Sequence, residues 1–451
     1  MLELLKSIDD FAWGPPLLIL LVGTGVYLTM RLGLLQVLRL PKAFQLIFIQ
    51  DKGHGDVSSF AALCTALAST VAALCTALAS TVGTGNIIGV ATAIKVGGPG
   101  ALFWMWMAAF FGMATKYAEG LLAIKYRTKD DYGAVAGGPM HYILLRMGEK
   151  WRPLAVLFAV AGVLVALLGI GTFTQVNSIA ESIQNTTTIS PAITALVLSV
   201  FVAIAVFGGL KSISKVSTTV VPFMAIIYIL GTLTVIFFNI GKIPGTIALV
   251  FTSAFSPLAA VGGFAGASVR MAIQNGVARG VFSNESGLGS APIAAAAAKT
   301  NEPVEQGLIS MTGTFIDTLI ICTLTGLTIL VTGVWSGDLN GVALTQSAFS
   351  TNFSHFGPAL LTIFLVLFAF TTILGWNYYG ERCFEFLFGV RFIWLYRVVF
   401  VLMVLLGGFI ELDMVWIIAD IVNALMALPN LIALLVLSPV VIAETKKYFD
   451  K

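Results

Sequence analysis

The chain has 451 residues, of which 58% are hydrophobic and 10% charged, with a formal net charge of +3 at pH 7. Soluble globular domains carry about 25% charged residues, so this composition excludes that class and points to a polytopic, all-α membrane protein. The small net charge says little about partners, because in a membrane protein the placement of Lys and Arg matters more than their sum.

The N-terminus, MLELLKSIDDFAWGPP, is mixed in charge and leads into a full-length apolar stretch, so it reads as a retained helix, with no cleavable leader. Apolar runs follow at Pro15–Met30, Phe60–Ile94, Ala101–Ile124, Leu154–Ile179, Pro191–Phe207 and Val220–Phe238. Five more lie at Phe264–Ala298, Leu308–Val334, Pro358–Tyr379, Phe392–Phe409 and Val415–Ile442. At roughly 20 residues per crossing these are about 11 transmembrane helices. Ile247–Gly263, which contains Pro257, reads as a re-entrant or surface helix. Basic residues cluster after alternate spans: Arg31, Arg39 and Lys42; Lys125, Arg127 and Lys129; Lys211 and Lys215; Arg382 and Arg391; Lys446 and Lys447. Few lie opposite (Lys6, Lys95, Lys242). The positive-inside bias then predicts a plasma-membrane protein with its N-terminus outside and its C-terminus cytoplasmic.

Two spans are interrupted. Thr81-Val82-Gly83-Thr84-Gly85-Asn86 puts glycines and polar side chains at mid-membrane depth, and Gly280 to Gly289 (GVFSNESGLG) does the same about two hundred residues later. Non-helical backbone survives there only inside protein or beside a water-filled cavity. Paired breaks in two halves are the sequence pointer to a transporter's binding site. A broken helix offers N–H groups for a carboxylate and C=O groups for a cation. The alternative for either break alone is a glycine kink that helps helices pack. Glu285, beside the second break, reads either as a proton or cation group or as a structural link. Glu119 and Asp317 are intramembrane acids that pair with Lys116, threonines or backbone, or else take part in coupling.

Enzymatic chemistry finds no support. Four cysteines (Cys64, Cys75, Cys322, Cys383) sit in or beside apolar runs without CxxC spacing, and the three histidines are scattered. No phosphate-binding glycine loop is present, so no ATP site is expected. One feature is unusual: AALCTALASTV occurs in tandem at Ala61–Val71 and Ala72–Val82. Such identity means a recent duplication, an engineered insertion or a sequence-assembly artefact. An eleven-residue insertion rotates a helix by only about 20° while adding roughly 16 Å. It therefore keeps its face, and GTGN follows the second copy alone.

Several long motifs resemble those of the sodium:alanine symporter family, the alanine or glycine:cation symporters: Thr81–Ala93, GGPGALFWMWMAAFFG at Gly97–Gly112, Met113–Arg127 and Ala136–Ile143. Gly280–Thr300, Ser310–Thr318 and GWNYYGER at Gly375–Arg382 resemble it too. The resemblance implies a LeuT-type fold of two five-helix inverted repeats with an additional N-terminal helix. It divides the chain into 1–56, a first repeat at 57–242, a second at 243–442 and a tail at 443–451. It implies a symporter that imports alanine or glycine with a cation, Na+, by alternating access, with no organic cofactor. Substrate would lie between Thr81, Gly83, Thr84, Gly85 and Asn86 on one side and Phe282, Ser283 and Asn284 on the other. Gln175 would add an amide, or else an interhelical hydrogen bond. Trp376 would be an apolar wall, or else an interfacial tryptophan. Na+ would take the carbonyls of Ala79 and Val82 with the hydroxyls of Thr371 and Thr372, the latter also near substrate. Both threonines could instead bond back to their own helix.

Overall fold

The computed structural model describes residues 2–48, 81–131, 133–256, 268–298, 300–410 and 412–450. Ala79 and the first of the two tandem copies lie outside the described residues.

A surface helix α1 (Leu2–Ala12) precedes α2 (Pro15–Arg31), and α3 (Leu40–Phe48) follows. The first broken helix emerges as one wide π-turn, Gly85–Gly89, continued by α4 (Val90–Gly97). Then come α5 (Gly100–Lys125), α6 (Arg152–Leu168), α7 (Phe173–Thr186), α8 (Pro191–Phe207), α9 (Gly209–Phe238) and α10 (Ile243–Phe255). The second broken helix is α11 (Val269–Asn284) plus α12 (Ala291–Ala295). After it run α13 (Pro303–Thr332, with a π-stretch at Phe315–Cys322), α14 (Gly341–Phe353), α15 (Phe356–Phe388), α16 (Ile393–Leu406) and α17 (Leu412–Phe449). A two-residue hairpin, Thr128–Lys129 with Val135–Ala136, is a small departure from an all-helical chain.

Among the described residues five helices are long and apolar enough to cross a membrane unaided, and four shorter apolar ones accompany them. On α8 and α9 large apolar side chains point outward, Ile204 at 69% and Phe237 at 68% exposed. Water would penalise such a surface, whereas lipid matches it. Inside, α5 packs between α11 and α13, while α15 packs on α6 and α7. Small residues make this possible. A Cβ on Gly120 would fall 2.4 Å from Ser310 Oγ, and one on Gly276 would fall 2.4 Å from the Ala101 carbonyl. Without a hydrophobic drive between helices in lipid, such close backbone approach is what holds them.

The expected spans need three adjustments. Leu154–Ile179 is two helices, α6 and α7, parted at Gly169–Thr172. Within Phe264–Ala298 the described residues are helical from Val269 to Asn284, and the chain leaves the helix at Glu285–Ser290. Helix α14 has no counterpart in the apolar pattern, because its buried Thr345 and Gln346 interrupt every hydrophobic run.

Candidate functional site

At the first break the chain leaves helical geometry at Val82–Gly83. The orphaned N–H of Gly83 donates to Asn86 Oδ1 at 2.8 Å, and that of Thr84 donates to Gln175 Oε1 at 3.3 Å. Gln175 Nε2 in turn donates to the Ile170 carbonyl at 2.9 Å, in the turn that parts α6 from α7. Gln175 thus faces the first break and makes an interhelical bond at once. Thr84 Oγ1 is buried and has no hydrogen-bond partner among the described residues.

The two breaks touch. A Cβ on Gly85 would sit 3.0 Å from Ser283 Cα and 3.2 Å from Phe282 Cδ1, so glycine is what lets the backbones meet. Both elements then converge on Asp317, in the π-stretch of α13. Its Oδ1 accepts from Asn86 Nδ2 at 2.7 Å, and its Oδ2 accepts from Ser283 Oγ at 2.9 Å and Thr318 Oγ1 at 2.8 Å. Asn284 Nδ2 closes the set on Thr318 Oγ1 at 3.0 Å. All five side chains are buried. Asn86 lies in the π-turn of the first break and Asp317 and Thr318 lie in the π-stretch of α13, a geometry that recurs at functional sites.

The second break opens at Glu285, whose φ of 57° is left-handed, followed by Gly287 and Gly289 at 88° and 82°. Its free N–H groups are satisfied by Glu119 of α5: Oε1 accepts from Gly287 N at 3.2 Å, Gly289 N at 3.1 Å and Asn430 Nδ2 at 2.7 Å. Asn430 also accepts from the Tyr142 hydroxyl. Glu285 accepts from Trp376 Nε1 at 2.8 Å and from Ser290 Oγ at 2.5 Å. Lys116, buried on α5, lies within electrostatic reach of Glu119, Glu285 and Asp317.

Trp376 is fully buried and stands edge-on to Tyr379, so it is not an interfacial residue. The two threonines of α15 diverge. Thr372 Oγ1 lies 3.4 Å from the Val82 carbonyl and 3.0 Å from that of Phe368. Thr371 Oγ1 bonds the carbonyls of Leu367 and Phe368 and faces Met224 Sδ on α9. The structure therefore brings Val82 and Thr372 together and leaves Thr371 one helix face away. Thr81 is buried and helical, just before the break.

Above Phe282 lies a layer the sequence reading missed. Phe282 stacks on Trp416 at 5.1 Å, and the Arg279 guanidinium covers both rings. Arg279 pairs with Asp420 through contacts of 2.6 and 3.1 Å, and Trp13 Nε1 donates to the Asp420 carbonyl. The available signal was one charge of each sign in apolar runs, 141 residues apart.

The sequence pattern of the sodium:alanine symporter family matches residues 1–73 and 69–451, two stretches that overlap within the duplicated segment. The chain belongs to that family. The sodium/alanine symporter AgcS of Methanococcus maripaludis is 49% identical over 99% of this chain and 97% of its own. An uncharacterized transporter of Haemophilus influenzae is 56% identical over 100% of this chain and 96% of its own. The probable sodium/glutamine symporter GlnT of Bacillus subtilis is 37% identical, over 98% and 89%. Among solved structures, MhsT in complex with L-phenylalanine superposes with a TM-score of 0.58 at 13% identity, covering 83% of this chain and 97% of that one. A manganese transporter of Eremococcus coleocola reaches 0.55 at 13% identity, over 88% and 81%. These likenesses show the fold, which is LeuT-type.

Proposed function

We propose that this family member is a secondary active symporter that imports a small neutral amino acid, alanine or glycine, with Na+. The observation that carries the reading is the meeting of two broken helices on one buried polar knot. The N–H groups of Gly83 and Thr84 are held by side-chain carbonyls, those of Asn86 and Gln175, which a substrate carboxylate replaces. Phe282, Ser283, Asn284 and Trp376 bound the far side, with Thr81 and Gly85 close to the first break. The knot supplies two sets of hard oxygens suited to a monovalent cation. One joins the Val82 carbonyl to Thr372, with Ala79 as a further candidate. The other joins Asn86, Ser283 and Asp317, whose carboxylate binds a cation more strongly than any neutral oxygen.

Basic-residue placement supports an outside N-terminus and a cytoplasmic C-terminus, and 57–242 and 243–442 serve as the two repeats that rock against each other. Counterflow uptake of labelled alanine and glycine into proteoliposomes, with and without a Na+ gradient, tests the whole reading. Uptake that ignores Na+, or that takes neither amino acid, refutes it.

A further inference from the structure

A groove of about 590 Å³ runs along the first halves of α2, α5 and α11. Leu18 and Val22 form one wall, Met107 and Phe111 the second, and Ile273 the third. Arg270 and Gln274 stand on the same face of α11 as Ile273, at the end where that helix begins. The volume is that of a small-molecule site, and apart from Arg270 and Gln274 the lining is apolar. Nothing in the transport reading uses it. Its first wall is the additional N-terminal helix, outside the two repeats.

Arg270 is the second observation. It is exposed, and among the described residues it makes no hydrogen bond or ion pair, whereas Arg279 on the same helix is matched by Asp420. On the orientation proposed above, Arg270 lies on the translocated side, where arginine is disfavoured. A guanidinium at the edge of hydrocarbon calls for an anion, and its planar fork fits a phosphate with two parallel hydrogen bonds. A basic group beside a crevice between membrane helices is the arrangement that captures anionic lipid head groups.

We propose that this groove binds an anionic phospholipid, one acyl chain lying against α2, α5 and α11 and the phosphate on Arg270. Gln274, one turn deeper, offers amide donors and an acceptor to the glycerol part of the head group. Binding would hold α2 against the second broken helix from the membrane side.

Native mass spectrometry of the full-length protein with phosphatidylglycerol or phosphatidylcholine tests this directly, and needs no transport activity. Wild type should retain one phosphatidylglycerol at least about tenfold more tightly than phosphatidylcholine, a difference of roughly 1.4 kcal/mol. Arg270→Ala should abolish that preference, and Arg270→Lys should restore part of it. Gly23→Leu should lower retention of both lipids, since a Cβ there meets nothing within 4 Å and the added side chain enters the groove without displacing backbone. Thermal stability should rise with phosphatidylglycerol and not with inorganic phosphate. Equal retention of the two lipids by wild type, unchanged preference in Arg270→Ala, stabilisation by phosphate alone, or a lipid-free dimer closed over this face overturns the proposal. Failure here leaves Na+-driven uptake untouched, and failure of uptake leaves lipid retention measurable.

Discussion

Asn86 Nδ2 lies 2.7 Å from Asp317 Oδ1 and 3.1 Å from the Asp317 carbonyl, so one amide spans the first broken helix and α13. The same carboxylate reaches the second broken helix through Ser283. Asp317 is therefore the point through which both breaks are joined. An acid in that place, surrounded by three donors, is a strong hydrogen-bond acceptor and an attractive cation ligand at the same time. Asp317→Asn preserves size and removes the charge. The expected outcome is a rise of about tenfold or more in the Na+ concentration for half-maximal alanine uptake, roughly 1.4 kcal/mol or above. Folding, read from the elution profile in detergent, should persist. Unchanged Na+ dependence would place the ion elsewhere.

Thr371 and Thr372 separate two roles that the sequence could not distinguish. Thr372 Oγ1 approaches the Val82 carbonyl, whereas Thr371 is turned to Met224 and its own helix. Thr372→Ala should weaken Na+ dependence several-fold, and Thr371→Ala should alter it little. Gly83→Ala provides a steric companion, because its Cβ would fall 2.4 Å from Thr372 Oγ1 and 3.3 Å from Gln175 Oε1. Uptake should be lost in that variant. Its fraction of folded protein should recover in the Gly83→Ala, Thr372→Ala pair while Na+ dependence stays poor. Equal effects of the two threonine variants on Na+ titration would count against the assignment.

Both breaks were legible because glycine and asparagine are conspicuous in apolar runs, while the family resemblance singled out Gly83 to Asn86 and Phe282 to Asn284 as the residues facing substrate. Their partners were not. Asp317 is 231 residues from Asn86, and no local pattern carries such a pairing. The choice between Thr371 and Thr372 turns on about 100° of helix rotation, finer than hydropathy can fix a register. Glu119 read as an intramembrane acid that pairs with Lys116, a threonine or backbone, with nothing to say which backbone. Its reason is visible only when Gly287 and Gly289 present their N–H groups to it, leaving the second break with no unsatisfied donors at those positions.

Arg279 and Asp420 form a nearly buried pair over Phe282, with side-chain exposures of 15% and 8%. Removing one partner strands the other charge, which typically destabilises by about 3–5 kcal/mol, whereas replacing both by apolar groups of similar volume is often neutral. Arg279→Met and Asp420→Leu should each lower thermal stability in detergent, and the double variant should recover most of the loss. If the double variant is as unstable as the sum of the singles, the two residues act independently and the pair does not seal this layer.

Trp376 donates from Nε1 to Glu285 Oε1 and packs edge-on to Tyr379, so its indole is both a wall and a strut for the second break. The backbone of Gly171 closes on it from the turn between α6 and α7: a Cβ on Gly171 would lie 2.8 Å from Trp376 Cβ. Two substitutions separate the functions. Trp376→Phe keeps most of the apolar volume and removes the donor, leaving one Glu285 oxygen without its indole partner inside the protein. The cost expected for that is about 1–3 kcal/mol, more if the carboxylate stays charged. Trp376→Ala also opens a cavity, for which about 3–5 kcal/mol is typical. If the indole limits substrate size, Trp376→Ala should admit valine or leucine in a competition panel against labelled alanine, and Trp376→Phe should not. A panel unchanged in Trp376→Ala, in protein that still folds and still takes up alanine with Na+, removes Trp376 from the pocket and leaves it the strut alone.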